Sequence, residues 1–354
     1  MYSAENKIID AHWPRYTENS TIDKEKRLKL CYLKYKFEGT INDNKPILNL
    51  IFSHATGMNK SIWKYYIKRL KKLAFMKDDY PFVIGSMITV DHVQHGDSGV
   101  LNKDNLGTEF NWTDGARDVI KVVMEERSND DAFKKGNNIL IGHSFGGFLS
   151  VYAAFLEPLL FQDIITIEPV IYGRHSDPSA APPPEGYKTM GNSGLLSALA
   201  RGIKDEFDSK EEAVEWLRRT SFFSPFESEL LEYFISDEVI QRPDGKWTTK
   251  ISKEQHLTCY KGYDSSVPMG MSSVQFIKNR VLHVVGGSAT WNPPETTNFL
   301  IKNLENSDRI IVPNGTHTVP EEQPDDVLKI IKSRLTETGF SLQEPIALTA
   351  KPKL

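Results

Sequence analysis

The chain has 354 residues, of which 39% are hydrophobic and 25% charged, and its formal net charge is -4. This is the composition of an ordinary globular protein, and the modest negative charge disfavours nucleic acid as a partner. No apolar run of about 18 residues occurs, so no transmembrane segment is expected, and residues 1–9 lack the apolar core of a secretory signal. The two cysteines, Cys31 and Cys259, are too few for a disulfide framework, which fits a reducing compartment.

Strands and helices are predicted to alternate from residue 26 onward. The polar residues 1–25 are predicted to form a flexible N-terminal arm. Leu28–Phe37 alternates in part and predicts an antiparallel edge strand, while Ile47–Phe52 is an apolar run typical of a strand covered on both faces. Helical spacing over 114–126 precedes the next part of the sheet. Further strands are predicted over 82–90, 138–141, 164–167, 281–285 and 309–312. This alternation predicts an α/β fold with a mostly parallel, doubly wound sheet.

One long segment between two predicted strands lacks a strand signal. Residues 171–276 open with prolines and continue with three amphipathic helices, over 194–207, 210–219 and 227–235. Because the segment is inserted between sheet strands, we predict that it forms a helical cap over the carboxyl end of the sheet. The predicted core then consists of residues 26–170 and 277–340, and residues 341–354 form a C-terminal tail.

The strand predicted over 138–141 leads into Gly142-x-Ser144-x-Gly146, and an apolar segment with helical spacing follows. Gly-x-Ser-x-Gly between a buried strand and a helix is typical of the nucleophile elbow, a tight turn that exposes the serine hydroxyl. Ser144 would then lie at a helix N-terminus, beside N–H groups that can receive a developing oxyanion. We therefore predict that Ser144 is a catalytic nucleophile; the alternative is a structural serine in a glycine-rich turn.

A serine nucleophile needs a base, and the base needs a third group that holds its tautomer. His317 lies on the loop after the last predicted strand, where this kind of fold carries its histidine, and it is the predicted base. Glu168 directly follows the apolar strand after the elbow helix, where an unpaired buried charge would be costly. We predict Glu168 as the triad acid. Glu295 is the alternative acid, and an ion pair between Glu168 and Arg174 is the structural alternative.

Two backbone N–H groups are needed to hold the oxyanion. One would come from Phe145, which follows the nucleophile, and the other from Thr56, on the loop after the strand at 47–52. Ala55 is the alternative donor. Trp112 and Trp291 are the predicted substrate-binding residues, although the segment that contains Trp112 could equally be a packed loop before a helix.

A turn after the strand at 82–90 carries Asp91, His92, His95 and Asp97. Residues of these types bind metals, but no further ligand cluster with metal spacing accompanies them. We therefore predict a shaped turn and no metal there. His54, on the loop after the preceding strand, is predicted to brace that loop rather than to act in catalysis.

Several motifs occur together, in one order along the chain. They are His54-x-x-Gly57-Met58, the turn over 91–98, the block over 110–118, the elbow, Glu168-Pro169, Trp291-x-Pro293-Pro294 and Gly315-x-His317. In this combination the chain resembles the fungal peroxisomal lipase family of α/β-hydrolases, from about residue 12 to residue 320. The resemblance implies an α/β-hydrolase fold with a helical cap, an ester hydrolase of the peroxisomal matrix with lipase activity, and no cofactor.

The chain ends in Pro352-Lys353-Leu354, which approximates the peroxisomal address Ser-Lys-Leu. Lys353 and Leu354 match that address, whereas Pro352 replaces its usual small residue. Together with the resemblance, this tail predicts a peroxisomal import receptor as a partner and the peroxisomal matrix as the location. The cytoplasm is the alternative location.

The predicted function is hydrolysis of apolar acyl esters, because the cap is rich in Leu, Phe and Tyr. An acyl-CoA thioesterase is the nearest alternative, and it would need a cationic entrance such as Arg201, Lys204, Arg218 and Arg219 could supply. The resemblance adds a hydrolase of a toxin or secondary-metabolite pathway. A non-catalytic, ligand-binding hydrolase fold is the alternative from a different class. Epoxide hydrolases and haloalkane dehalogenases use aspartate at the elbow, and Ser144 argues against them.

Overall fold

The computed structural model describes residues 2–37, 44–76, 79–177, 193–220, 222–291 and 294–343. The strands in chain order are β1 (Tyr2–Asp10), β2 (Lys29–Phe37), β3 (Ile47–Ser53), β4 (Val83–Asp91), β5 (Asn137–His143), β6 (Asp163–Ile167), β7 (Glu206–Phe207), β8 (Val239–Gln241), β9 (Trp247–Thr249), β10 (Arg280–Gly286) and β11 (Ser307–Val312). The helices are α1 (Lys64–Phe75), α2 (Gly96–Asn102), α3 (Trp112–Asn129), α4 (Asp131–Lys135), α5 (Phe145–Leu156), α6 (Ser193–Gly202), α7 (Lys210–Arg219), α8 (Ser228–Glu238), α9 (Lys253–Ser273), α10 (Pro294–Asn303), α11 (Val319–Glu322) and α12 (Pro324–Gln343).

The central sheet has eight strands in the order β1-β2-β4-β3-β5-β6-β10-β11. The pairs β1·β2 and β2·β4 are antiparallel, and every pair from β4 to β11 is parallel. The crossovers between parallel strands run through helices, as parallel pairing requires. The predicted mostly parallel sheet is confirmed.

Two apolar layers cover the two faces of this sheet. In β5, Ile139 and Ile141 belong to one buried cluster and Leu140 to the other, because successive side chains point to opposite faces. In β3, Leu50 and Ile51 divide in the same way. Burial on both faces explains why these strands are nearly continuous apolar runs in the sequence.

The N-terminal segment differs from the prediction. Tyr2–Asp10 is not a flexible arm but β1, which pairs with β2 over the whole length of both strands. β1 is therefore the edge of the sheet, and β2, predicted as an edge strand, lies between β1 and β4. Main-chain hydrogen bonds hold β1 in place with little burial of its own side chains, so its polar composition carried no strand signal.

The cap contains α6, α7, α8 and α9. α7 has the predicted bounds and α8 fits to within three residues, but the helix predicted over 194–207 ends at Gly202, and Glu206–Phe207 form β7 instead. The cap also contains a small antiparallel sheet in the order β7-β9-β8, which was not predicted. These strands have only two or three residues each, too few for an alternating pattern to be visible. The prolines that open the cap, over 178–184, lie outside the described residues.

α12 runs to Gln343, so the predicted tail begins inside a helix. The targeting residues Pro352, Lys353 and Leu354 lie outside the described residues. Within the described part of the chain, no helix is both long and apolar enough to cross a membrane.

Candidate active site

Ser144 lies at the turn between β5 and α5, in the left-handed region at φ 54° and ψ -114°. A residue with a side chain is strained there. The turn is held by its main chain, because the Ser144 N–H donates to the Ile167 carbonyl over 2.9 Å and the Phe148 N–H donates to the Ser144 carbonyl over 3.1 Å. The nucleophile elbow predicted from Gly142-x-Ser144-x-Gly146 has this geometry.

Two glycines make the turn sterically feasible. A Cβ on Gly142 would lie 2.2 Å from the Gly146 carbonyl oxygen, and a Cβ on Gly146 would lie 2.3 Å from the Ser53 carbonyl oxygen. Contacts that short do not occur, so a larger residue at Gly142 would push α5 away from β5, and one at Gly146 would push α5 away from β3. The close approach of α5 to β5 and to β3 therefore requires Gly142 and Gly146, respectively.

The structure brings Ser144, Glu168 and His317 together. The Ser144 Oγ lies 2.9 Å from His317 Nε2, and the Glu168 Oε2 lies 3.2 Å from His317 Nδ1. Glu168 is fully buried, and its Oε1 accepts the Gly286 N–H over 2.7 Å. A carboxylate held in this way can fix the tautomer that carries its proton on Nδ1, which leaves Nε2 free to accept the serine proton.

The strand order explains this meeting of distant residues. Ser144 follows β5 and Glu168 follows β6, which are neighbours in the sheet, and β10 and β11 come next. The Glu168 N–H donates to the Val284 carbonyl over 2.9 Å, so the acid is anchored to β10 as well. Since parallel strands end at the same edge of the sheet, the loops after β5, β6 and β11 meet there.

The alternatives for Glu168 take other positions. Arg174 forms an ion pair with Glu295, not with Glu168. The carboxylate that directly follows β6 therefore faces His317, while the alternative acid is held by a guanidinium.

The loop after β3 reaches the same edge. Thr56 and Ala55 both line a small cavity of about 30 Å³ that also contains the Ser144 side chain. Phe145 is the first residue of α5, so its N–H is one of the four that have no partner within the helix. The loop is fixed by the Gly57 N–H, which donates to His95 Nε2 over 3.1 Å.

Three buried histidines underlie this loop. The ring of His54 lies 4.5 Å from that of His92 and 5.0 Å from that of His95, between centroids. Burial lowers the pKa of His54 to about 3 and the pKa values of His92 and His95 well below their usual range, so all three are neutral. His54 Nδ1 also contacts the Ala55 carbonyl over 2.8 Å, in keeping with the bracing role predicted for it.

Asp91 and Asp97 both form ion pairs with Lys60, whose Nζ lies 2.6 Å from a carboxylate oxygen of each. Burial disfavours the ionised carboxylate of Asp91 and raises its pKa, although Lys60 favours the ionised form. Across the described ranges, no group of three or more His, Cys, Asp or Glu side chains is arranged to hold a metal ion.

The two predicted substrate-binding tryptophans differ in exposure. Trp112 is buried, its Nε1–H donates to the Cys259 carbonyl over 2.7 Å, and its ring packs against Phe145. Trp112 nevertheless lines the small cavity, as Ser144 does. Trp291 is 47% exposed and stacks on the His317 ring, with centroids 6.2 Å apart. The burial and packing of Trp112 fit a packed segment at the start of α3, and a substrate-binding role for Trp112 stays a prediction.

A large cavity of about 860 Å³ lies between the cap and the core. It shares Phe222, Tyr260, Trp291 and His317 with the small cavity, so it adjoins the reactive atoms. Apolar atoms make up most of its lining surface, and its apolar lining residues include Ala198, Leu199, Ile203, Trp216, Leu217, Phe223, Pro225, Phe234 and Ile251. The volume is within the usual range for small-molecule sites. Tyr260 was not predicted, because it belongs to no recognisable motif, whereas Phe222 is one of the cap aromatic residues whose abundance predicted an apolar substrate.

The cations considered for a charged entrance are largely paired on the surface. Lys204 pairs with Glu212, Arg218 with Glu232 and Arg219 with Glu215, over 2.5 to 2.8 Å. Among the four candidates, Lys204 borders the large cavity. Exposed pairs of this kind are weak, so they leave a cation available to a stronger anion.

Comparison with known proteins is consistent across sequence and structure. The family model described as the Alpha/beta hydrolase family matches residues 50–330. The chain is 35% identical to the protein named Peroxisomal membrane protein LPX1 of Saccharomyces cerevisiae, over 100% of this chain and 91% of that protein. The structure of the peroxisomal alpha-beta-hydrolase Lpx1 of that yeast superposes with a TM-score of 0.86 and covers 100% of this chain and 93% of its own. Type I acyl-CoA thioesterase mpaH of Penicillium brevicompactum is 28% identical over 59% of this chain and 44% of that protein.

Proposed function

The chain belongs to the alpha/beta hydrolase family, and we propose that it is a serine acyl hydrolase that cleaves apolar acyl esters. The observation that carries this proposal is the chain of contacts from Ser144 through His317 to Glu168, at 2.9 and 3.2 Å. A binding function alone would not need a hydroxyl, an imidazole and a carboxylate in this order.

In the proposed reaction, Ser144 Oγ attacks the ester carbonyl while His317 Nε2 takes the hydroxyl proton. The carbonyl oxygen becomes an oxyanion, held by the N–H groups of Phe145 and Thr56. The tetrahedral intermediate then expels the alcohol, which receives the proton from His317. Water repeats the sequence on the acyl-enzyme, and His317 again acts first as base and then as acid.

Glu168 serves this cycle by orientation and charge. Its Oε2 accepts the His317 Nδ1–H, and its negative charge stabilises the imidazolium that forms during each proton transfer. Because Glu168 also accepts the Gly286 N–H, its orientation does not depend on His317.

The large apolar cavity supports an apolar substrate. Its wall meets His317 and Trp291, so a hydrocarbon chain in the cavity would leave its ester group near Ser144. No cofactor enters the proposed chemistry, since every proton and oxyanion has a partner among the residues named.

A thioester substrate is the second candidate. It is favoured by the likeness to a type I acyl-CoA thioesterase and by Lys204, which borders the large cavity and could meet a phosphate. The attack on the carbonyl would be the same, and only the leaving group would differ.

We also propose the peroxisome as the location. The relative that is 35% identical over the full chain is named a peroxisomal protein, and Lys353-Leu354 matches the end of a peroxisomal address. Deletion of Leu354 is expected to leave the protein in the cytoplasm, which fluorescence microscopy against a matrix marker would measure.

The test of the catalytic proposal compares wild type, Ser144→Ala and Ser53→Ala on p-nitrophenyl esters of increasing chain length and on acyl-CoA. Ser53 is a matched control because its Oγ also lies 2.9 Å from a histidine nitrogen, His92 Nε2, but is fully buried. We expect Ser144→Ala to lose activity by on the order of 10⁴-fold or more. Ser53→Ala should remain active.

Higher kcat/KM for acyl-CoA than for the matching esters would identify the thioesterase. If wild type cleaves neither series, or if Ser144→Ala keeps its activity, the proposed hydrolase is wrong and a ligand-binding role replaces it.

A further inference from the structure

His143, the residue before the proposed nucleophile, contacts the residue that carries the proposed base. Its Nε2 lies 2.8 Å from the His317 carbonyl oxygen, and the two rings are 5.4 Å apart between centroids. A carbonyl oxygen only accepts hydrogen bonds, so the Nε2 of His143 must carry a proton. Ser144 directly follows His143 in the chain, so the hydrogen bond from His143 connects the nucleophile to the loop that carries His317.

The other nitrogen of His143 faces a carboxylate. His143 Nδ1 lies 3.2 Å from Glu321 Oε1, and both side chains are almost completely buried. A neutral His143 would turn the Nδ1 lone pair towards an ionised carboxylate, which is repulsive. An ionised Glu321 therefore favours a proton on Nδ1 of His143.

Glu321 is held independently of His143. Its backbone carbonyl accepts the Glu227 N–H over 2.8 Å, and the Pro320 carbonyl before it accepts the Tyr66 hydroxyl over 2.6 Å. α11 is thus fixed to α1 and to the start of α8. The backbone that carries the Glu321 carboxylate is consequently fixed beside the imidazole.

We propose that His143 and Glu321 form a second imidazole–carboxylate pair, which positions His317 against Ser144 and holds a proton while it does so. The inference rests on the proposed function, since the contact that it sets is the one between Ser144 Oγ and His317 Nε2. His143 and Glu321 are positioning residues, because neither is assigned a contact with the reacting atoms.

The charge state of His143 depends on the groups that face it from each neighbouring element. Glu321 of α11 and Glu168 after β6 favour the imidazolium, as does the hydrogen bond to the His317 carbonyl. His54 after β3 is neutral because burial lowers its pKa to about 3. Burial alone would lower the pKa of His143, but the carboxylates and the carbonyl outweigh it, and the net result is a raised pKa.

The sign of the pH dependence follows. The pKa of His143 is higher in the folded protein than the value of 6.5 in the unfolded chain. The protonated side chain therefore stabilises the fold fully below pH 6.5, and this stabilisation is lost as the pH rises through the pKa of the folded state. On deprotonation, the Nδ1 lone pair faces Glu321 and the pair is broken. Positioning of His317 should therefore fail on the alkaline side, with kcat falling while KM changes little.

Two substitutions separate positioning from a merely structural role. Glu321→Gln supplies an amide N–H to an unprotonated Nδ1, so the contacts survive without the extra proton. His143→Leu removes both contacts. We expect His143→Leu to lower kcat by on the order of 10²-fold, as small misplacements of catalytic groups do. Glu321→Gln should retain at least ten times the kcat of His143→Leu and lack the alkaline decline that His143 causes.

Nitrogen-15 NMR of the histidine side chains provides a readout that does not depend on activity. In wild type, the pKa of His143 should lie above 6.5, with both ring nitrogens protonated below it, and in Glu321→Gln only Nε2 should carry a proton over the same pH range. The inference is overturned if His143 is neutral in wild type, or if His143→Leu keeps kcat within twofold at every pH. It is likewise overturned if both variants lose kcat equally with unchanged pH profiles. Ser144→Ala, assayed alongside, shows separately whether the proposed function itself fails.

Discussion

Three non-glycine residues in the described part of the chain have positive φ, and all three lie at the candidate site. They are Ser144 at 54°, Glu168 at 47° and Asn314, on the loop that carries His317, at 59°. Such conformations cost on the order of 1–3 kcal/mol each and persist only where the surroundings enforce them. Here the enforcing contacts are main-chain bonds to neighbouring strands, so the rigid sheet sets the directions of the nucleophile and the acid.

The carboxylate of Glu168 should be essential for catalysis. Glu168→Gln is expected to lower kcat by on the order of 10³–10⁴-fold, because an amide can donate to His317 Nδ1 and hold the wrong tautomer, as asparagine does in serine protease triads. Steady-state kinetics on a p-nitrophenyl ester measure it. Glu295→Gln is the matched control and should keep its activity, since Glu295 pairs with Arg174. Loss of activity in Glu295→Gln alone would make Glu295 the acid.

The residues of the proposed triad could be predicted because each has a local signal. Ser144 lies in a glycine-rich turn, His317 follows a late strand, and Glu168 is a charge at the end of an apolar strand. Glu321 has no such signal, since it is one of several carboxylates in a polar stretch. Its partner His143 is distant in sequence, and only the folded sheet brings them together.

Between elements, a cluster of buried and partly buried charges joins the cap to the core. Asp237 of α8 contacts Lys250 Nζ over 2.8 Å, and Lys250 in turn contacts Asp97 of α2 over 2.5 Å. Glu238 accepts the Asn59 Nδ2–H over 2.7 Å and the Ile251 N–H over 3.0 Å. The loop after β3, which carries the proposed oxyanion donor, is thereby attached to α8.

Glu238 should make the attachment of α8 to the loop after β3, and with it the stability of the fold, sensitive to pH. Burial raises its pKa to about 7, against 4.5 for an unperturbed glutamate. Between these values the folded protein binds more protons than the unfolded chain, so the free energy of unfolding falls as the pH rises. We expect a loss of up to about 3 kcal/mol from this group between pH 4.5 and pH 7. Glu238→Gln cannot ionise and should remove that part of the pH dependence.

Urea unfolding of wild type and Glu238→Gln at pH 5 and pH 7.5 measures the difference. Glu229→Gln is a suitable control, because Glu229 is half-exposed in the same helix and the pKa of its carboxyl is lowered by Lys68 and Arg69. If Glu238→Gln follows wild type at both pH values, the carboxyl does not titrate in this range.

The elements that escaped prediction did so for distinct physical reasons. β1 is stabilised by main-chain pairing, and β7, β8 and β9 are shorter than one period of a readable pattern. α9 contains Pro268 and has polar and apolar residues on all sides, because it packs against both the core and the cap. α7, by contrast, has one apolar face and was predicted with the same bounds.

For the molecule as a whole, the decisive arrangement is a rigid sheet edge covered by an apolar cap, with the large cavity between them. The carboxyl ends of the strands hold the proposed triad, whereas the separate cavity holds the apolar part of the substrate and so determines substrate selectivity. A change at the cavity wall far from Ser144 should therefore alter selectivity without altering the intrinsic rate on small esters.

Ala198→Trp tests this separation. Ala198 lies on α6 with its side chain at the wall of the large cavity, and an indole there should occupy space needed by a long chain. Since each methylene group lost from an apolar pocket costs about 1–3 kcal/mol, kcat/KM for a dodecanoyl ester should fall by on the order of tenfold or more. Hydrolysis of p-nitrophenyl acetate should stay within twofold of wild type.

The neighbouring Ser197 supplies the matched control, because it is exposed on the same helix and does not line the cavity. Ser197→Trp adds the same indole to α6 and should leave the chain-length profile as it is in wild type. If Ala198→Trp lowers kcat/KM for the acetate and dodecanoate esters alike, the indole has disturbed the catalytic site rather than the binding of the long acyl chain. If it lowers neither, the long chain does not lie in this cavity, and the cap has a role other than binding the apolar part of the substrate.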